Sequence, residues 1–70
     1  MMPLTMVKPS EESIIRKVGG NSETRKFLES LGFVVGGSVA VISEINGNVI
    51  VNVKNSRVAV SKEMAQKIMV

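Results

Sequence analysis

The chain has 70 residues, of which 44% are hydrophobic, it contains no cysteine, and its formal net charge is +3. This length fits one small domain, so residues 1–70 are treated as a single domain, and the apolar fraction is too high for a disordered chain. The lack of cysteine excludes a disulfide framework and agrees with a cytoplasmic location, which we expect. We expect no membrane span, because no segment is long and apolar enough to cross a bilayer. We also expect no signal peptide, because Met1–Val7 lacks a basic start, a long apolar run and a small-residue cleavage site.

The basic charge of the chain is not typical of a nucleic-acid-binding protein. The sequence pI is about 9.7, but the nine lysines and arginines form no run. Phe27 and Phe33 are the only aromatic residues. Because single-stranded nucleic acids are usually held on basic surfaces with stacking aromatics, we expect no nucleic-acid partner.

The first part of the chain predicts extended structure broken by turns. Leu4–Lys8 lies between Pro3 and Pro9 and is interpreted as extended, with Leu4 and Met6 on one side. Ser13–Val18 is rich in branched residues and predicts the first strand. Gly19-Gly20 then interrupts the strand.

Ser22–Leu31 predicts the main helix. Asn21 or Ser22 can cap its N-terminus, and Gly32 stands where a left-handed residue ends a helix. Helical spacing places three apolar side chains on one face: Phe27, Leu28 and Leu31.

Gly36-Gly37 predicts a turn, followed by strands at Ser38–Ile45 and Asn48–Val53. Asn46-Gly47 between them is a strong hairpin signal. Two registers are compatible with this hairpin. A two-residue loop pairs Glu44 with Val49 and Ile42 with Val51. A three-residue loop instead pairs Ile45 with Val49, Ser43 with Val51 and Val41 with Val53.

We prefer the three-residue loop, since a slip of one residue would divide the apolar set between two faces. The preferred register gathers on one face Val39, Val41, Ile45, Val49, Val51 and Val53.

The last part of the chain predicts a turn at Asn55-Ser56 and a short strand at Arg57–Val60. Ser61 can cap one helical turn through Met64-Ala65, and Lys67–Val70 ends the chain with alternating apolar residues. Closely spaced strands with one main helix predict a mainly β fold, a small barrel of about five or six strands.

No residue pattern in the chain predicts catalysis, a cofactor site or a metal site. There is no histidine and no cysteine, so the commonest zinc ligands and the commonest general base are missing. The serines therefore have no histidine partner, and Gly19-Gly20 does not match a phosphate-binding loop. Adjacent Glu11 and Glu12 are interpreted as part of a solvated turn.

The order of several weak motifs resembles the FeoA family. Gly19-Gly20 is followed by the helix end Arg25–Phe33, which resembles R-x-x-L-x-x-L-G-[LF]. Gly36–Val39 and Asn55–Ala65 follow, the latter resembling the family's G-S-R-[LIV]-A-[LIV] stretch. The chain departs from the family at three positions: Ser10 and Asn55 replace frequent glycines, and Val35 replaces a frequent proline.

The resemblance implies an SH3-like barrel with the helix inserted after the first strand. It also implies a non-catalytic cytoplasmic accessory protein of ferrous iron uptake, whose partner is the GTP-binding membrane transporter FeoB. At family level it implies at most weak transition-metal binding. Alternatives are a nucleic-acid-binding or regulatory barrel related to the C-terminal domain of iron-dependent repressors, and, least favoured, an enzyme.

The helix and its exit are the candidate partner-contact surface, because contacts usually need apolar or arginine anchors. The predicted contact residues are Arg25, Lys26, Phe27, Leu28, Leu31 and Phe33. Two other interpretations remain open: these apolar residues seal one end of the barrel, or they mediate weak self-association. The hairpin around Asn46-Gly47 is the alternative contact surface.

Overall fold

The computed structural model describes the whole chain, Met1–Val70. A 3-10 helix at Leu4–Met6 precedes six strands and two α-helices. In chain order the elements are β1 (Glu12–Ile14), β2 (Lys17–Val18), α1 (Ser22–Ser30), β3 (Ser38–Ile45), β4 (Asn48–Val53), β5 (Ser56–Ser61), α2 (Lys62–Ala65) and β6 (Ile68–Met69). Neither α-helix has the length and apolarity needed to cross a membrane.

The strands form two antiparallel sheets. One has four strands in the order β1-β3-β4-β5, and the other pairs β2 with β6. The mainly β class with one substantial helix and a short C-terminal helix is confirmed. The two sheets share no strand, so hydrogen bonding does not run in a closed ring around the core, as full barrel closure would require.

The predicted strand Ser13–Val18 serves both sheets and is therefore divided. The N–H of Ile15 donates to the Gly37 carbonyl at 2.8 Å, continuing the pairing of β1 with β3. The next N–H, from Arg16, donates to the Met69 carbonyl at 2.8 Å, beside β6. The chain thus passes from one sheet to the other within two residues, and Ile15 is buried at this corner.

The prediction of an extended Leu4–Lys8 segment is wrong. Met2 and Val70 exchange two backbone hydrogen bonds, which tie the N-terminus to the C-terminus. From this fixed point the chain turns as a 3-10 helix that buries Leu4 completely and leaves Met6 exposed. The two side chains therefore do not share a face.

The preferred register of the β3–β4 hairpin is also wrong. Asn46 and Gly47 both have positive φ and form a two-residue turn, so that Glu44 pairs with Val49. A bulge at Ile42 then shifts the register, and Val41 faces Val51 where the two-residue alternative placed Ile42. With this bulge, all five valines that the preferred register placed on one face are still buried together. Ile45, next to the turn, is exposed.

The next turn lies one residue earlier than predicted. Lys54 and Asn55 both have positive φ, and Val53 pairs with Ser56 across them. After glycine, asparagine is the residue type that tolerates a positive φ best, which suits it to position 55. The remaining C-terminal predictions are confirmed: β5 contains Arg57–Val60, and the Ser61 hydroxyl caps α2 by accepting from the N–H of Met64.

Helix α1 is capped by Asn21, one of the two predicted N-cap residues, and it ends before Gly32 as predicted. The Asn21 side-chain oxygen accepts from the N–H of Thr24 at 2.8 Å. At the other end the N–H groups of Gly32 and Phe33 donate to Glu29 and Leu28 at 3.0 and 3.1 Å. This is the paired bonding of a Schellman cap, and Gly32 has the positive φ, 110°, that such a cap requires.

The core is entirely apolar and draws on almost every element. Among its members are Leu28, Val41 and Val51, which the sequence predicts as core residues. No polar or charged side chain is buried. The thirteen core residues are Leu4, Ile15, Val18, Leu28, Phe33, Val39, Val41, Val49, Val51, Val53, Val60, Ala65 and Ile68.

Replacing Val51 with aspartate should unfold the domain. The side chain is fully buried, and a core of this size supplies only about 3–5 kcal/mol of stability, less than an unpaired buried charge costs. Thermal unfolding followed by circular dichroism measures the effect. Asn52→Asp is the matched control, because Asn52 is the exposed next residue of β4. A Val51→Asp variant that melts like the parent would contradict the core assignment.

Replacing Gly32 with alanine should destabilise the domain more than the same change at Gly36. Both glycines have positive φ, so both substitutions carry backbone strain of about 1 kcal/mol. Only at Gly32 would the new methyl also meet neighbours, the closest being Lys54 Cδ at 3.3 Å. Urea unfolding of the two variants gives the comparison, and equal losses of free energy would show that the Lys54 contact adds nothing.

Candidate functional site

The predicted contact residues do not form one surface. Leu28 and Phe33 have no exposed surface and belong to the core, so they are not available to a partner in this conformation. Leu31 is partly buried against the core. Arg25, Lys26 and Phe27 remain exposed on α1. On the same helix, some of the predicted contact residues therefore cover the core and others are exposed to solvent.

Helix geometry separates Phe27 from Arg25. Successive residues advance by about 100° around a helix axis, so the two side chains project about 160° apart. They lie on opposite flanks of the buried Leu28, and Lys26 lies on the solvent side between them. Arg25 is therefore not a neighbour of Phe27 on a flat contact surface.

Phe27 borders an open groove between α1 and α2. Phe27 is 49% exposed, so about half of its surface is accessible to a partner. Met64 of α2 is the other apolar residue of the groove. Asn21, Glu23 and Thr24 from the first turn of α1 complete its lining. The groove thus has two apolar side chains and a carboxylate beside them.

Local bonding fixes both walls of this groove. The Asn21 cap holds the first turn of α1, and the Ser61 cap holds α2. Helix α2 is also attached to the β3–β4 hairpin. The Lys62 N–H donates to the Gly47 carbonyl at 3.1 Å, and Lys62 Nζ lies 2.7 Å from Glu44 Oε1. The ion pair is half exposed, so it orients α2 more than it stabilises the fold.

Met64 is the residue of this groove that the sequence does not reveal. A methionine at this position is interpreted from the sequence as a gap-filling core residue, and Met64 does pack partly against the core. Its position next to Phe27 arises only when two distant segments meet, since α2 begins at Lys62, 35 positions after Phe27. No motif within either segment carries that information.

Comparison with known proteins assigns the family. The family model described as FeoA domain matches residues 2–70. The chain belongs to the FeoA family. This is a family of ferrous iron transport proteins, and its members with solved structures share the fold described above.

Similar FeoA proteins are found at the levels of both sequence and structure. A Methanocaldococcus jannaschii protein, provisionally named Fe(2+) transport protein A, is 37% identical over the whole chain and 85% of its own length. A crystal structure of an iron uptake regulatory protein (FeoA) has a TM-score of 0.88, with 26% identity over 97% of this chain and 92% of that one. Stenotrophomonas maltophilia FeoA, described as an SH3 domain protein complexed with zinc, has a TM-score of 0.83, with 21% identity over 99% and 88% of the chains.

The structure shows what the backbone requires at the three positions where this chain departs from the FeoA pattern. Ser10 and Asn55 have φ values of 69° and 61°, in the left-handed region that glycine adopts without strain. The structure thus shows why glycine is frequent at these FeoA positions. The predicted turn at Gly36-Gly37 lies one residue earlier: the N–H of Gly37 donates to the Val34 carbonyl at 2.9 Å, so Val35 and Gly36 are its central residues. Val35 is exposed at the first central position, where proline is favoured in such turns.

The carboxylates of this FeoA domain are dispersed over the surface. No group of three or more histidine, cysteine, aspartate or glutamate side chains comes together. Glu11 and Glu12 are both exposed, as predicted, but the placement of Glu12 in a turn is wrong, because Glu12 belongs to β1 and lies opposite Ala40. Glu11 follows the turn, and its N–H donates to the Lys8 carbonyl. The exposed surface of α1 carries both apolar and charged side chains.

We predict that this domain binds ferrous iron only weakly. Imidazole and thiolate, the ligands that hold such borderline cations tightly, do not occur in the sequence, and isolated carboxylates bind divalent ions weakly. Anaerobic calorimetry with ferrous iron should give no stoichiometric binding in the micromolar range. Tight one-to-one binding would contradict the prediction and would require ligands gathered from separated glutamates.

Proposed function

We propose that this protein is a non-catalytic, cytoplasmic accessory protein of ferrous iron uptake that binds the cytoplasmic region of a FeoB-type GTP-binding transporter. Ferrous iron is then the cargo of the transporter and not a ligand of this domain. Membership of the FeoA family supports the link to ferrous iron transport. The half-exposed Phe27 supports action through protein contact.

The groove of Phe27 and Met64 is the proposed contact site. Aromatic residues and methionine are enriched where proteins meet, and an anchor works best beside a pocket that can be desolvated. The groove is open and is lined by only five residues, so it suits one or two side chains of a partner better than an enclosed small molecule.

Charge divides the helix surface into two different environments. Glu23 lies in the lining of the groove and favours a neutral or basic group of the partner there. Lys26, on the solvent side, can meet an acidic group of the transporter's cytoplasmic region. Arg25, on the far flank, is assigned a smaller role because a partner seated on Phe27 does not reach it directly.

Replacing Phe27 with alanine should lower the affinity for the transporter's cytoplasmic region at least about tenfold, the usual effect of removing an aromatic anchor. Arg25→Glu should have a smaller effect, since it changes an exposed charge outside the groove. Isothermal calorimetry with purified proteins measures both. Each variant is first checked for folding by circular dichroism.

Two further variants serve as controls for this experiment. Ile14→Ala removes an equally exposed apolar side chain from β1, and it should leave binding unchanged. Ile45→Ala tests the hairpin around Asn46-Gly47 as the alternative surface. Loss of binding by Ile45→Ala but not by Phe27→Ala would move the contact to the hairpin. Failure of the unmodified protein to bind would overturn the proposed partner itself.

A further inference from the structure

Strand β5 forms one free edge of the four-stranded sheet. It pairs with β4 along all six residues, from Val53 opposite Ser56 to Asn48 opposite Ser61, and it has no partner on its other side. The opposite edge of the sheet is β1, which has only three residues. The long edge is therefore the one on which another strand can be added.

The register determines which backbone groups face outward at this edge. Val53 and Ser56 flank a two-residue turn, so they are a hydrogen-bonded pair. Hydrogen bonds alternate along an antiparallel pair, so Val58 and Val60 also bond to β4. The N–H and C=O groups of Arg57 and Ala59 therefore point away from the sheet, and both residues are exposed.

This edge lacks the features that usually protect sheet edges. Native proteins place proline, lysine or a bulge on such strands to prevent pairing with another chain. The pairing of β5 with β4 shows no shift of register, and β5 contains no proline. Its one charged residue is Arg57.

We propose that two copies of this chain pair through β5, antiparallel, across a two-fold axis at Ala59. In this arrangement Ala59 faces Ala59 of the second copy and Arg57 faces Ser61. The Ala59 pair exchanges two hydrogen bonds at the axis. At each end the N–H of Ser61 donates to the Arg57 carbonyl of the other copy, whereas the Ser61 carbonyl belongs to α2, whose N-cap is Ser61. Val58 then lies opposite Val60, on the side of the sheet that carries the core.

A second copy suits this edge because the strand is nearly symmetric about Ala59. The segment Val58-Ala59-Val60 reads the same in both directions, and branched residues facing each other stabilise antiparallel strands. No like charges meet, since Arg57 lies opposite a serine. A two-fold contact uses the same edge on both copies, so association stops at the dimer. This inference does not depend on the proposed transporter contact.

Sedimentation of the full chain over about a hundredfold concentration range should show a reversible monomer–dimer equilibrium. Ala59→Pro should raise the dimer dissociation constant at least about tenfold, because it removes the two hydrogen bonds at the axis. The lost N–H points away from β4, so the pairing within the chain is kept. A parent that stays monomeric, or a folded Ala59→Pro variant that dimerises like the parent, would overturn the proposal.

Charged variants at the axis give a test that does not depend on how well proline is tolerated. Ala59→Lys and Ala59→Glu should each be monomeric, because the new charge meets itself, and an equimolar mixture should form a heterodimer. Asn52→Lys adds the same charge to the exposed side of central strand β4 and should leave the dimer intact. Dimers of both charged variants alone, or a mixture that remains monomeric while the parent dimerises, would overturn the assignment of the axis to Ala59.

Discussion

Strands β3 and β4 bury five valines on one face of the sheet, and the remaining elements are arranged to cover that face. The side chains of a strand alternate with a period of two, so a single slip would turn half of these valines toward water. The bulge at Ile42 prevents this, because it corrects the register between the tight turn at Asn46-Gly47 and the valines farther along the strands. Turn chemistry and core burial are both satisfied at the cost of one unpaired residue.

The covering elements depend on this face in turn. Leu28 of α1 and the Phe33 that follows the cap are fully buried, and the Schellman cap at Gly32 turns the chain so that both side chains enter the same core. The division of the first strand at Ile15 and Arg16 lets one segment join two sheets. With no disulfide and no buried polar side chain, packing of apolar side chains and backbone hydrogen bonds hold these parts together.

The same packing determines what is left exposed. A narrow helix stripe can bury Leu28 fully and Leu31 partly, which leaves Phe27 at the border beside Met64. A sheet whose hydrogen bonding does not close leaves the outer side of β5 unpaired. Both candidate contact surfaces, the groove of Phe27 and Met64 and the edge of β5, thus result from how a small core is covered. Helix caps and strand pairing hold the elements that carry them in place. The two surfaces are separate, so the proposed contacts with a transporter and with a second copy do not compete for the same residues.

The amino-acid sequence alone determined the features that depend on neighbouring residues. The bounds of β3 and β4, the Ser61 cap, a cap at Asn21 or Ser22, and the end of α1 before Gly32 follow from local hydrogen bonding and local φ preferences. The order of the motifs from Gly19-Gly20 to Ala65 also sufficed to indicate the FeoA family, which the comparisons confirm. These signals are contained within short segments, and tertiary packing did not change them.

Only the tertiary structure decided the features that depend on contacts between distant segments. The 3-10 turn at Leu4–Met6 follows from the pairing of Met2 with Val70, and the bulge at Ile42 follows from the need to bury valines on both sides of it. The removal of Leu28 and Phe33 from the predicted contact surface, and the meeting of Phe27 with Met64, arise in the same way. An apolar residue has the same sequence signature whether it lies inside the core or at its border, because burial is a property of the assembled neighbours and not of the residue itself.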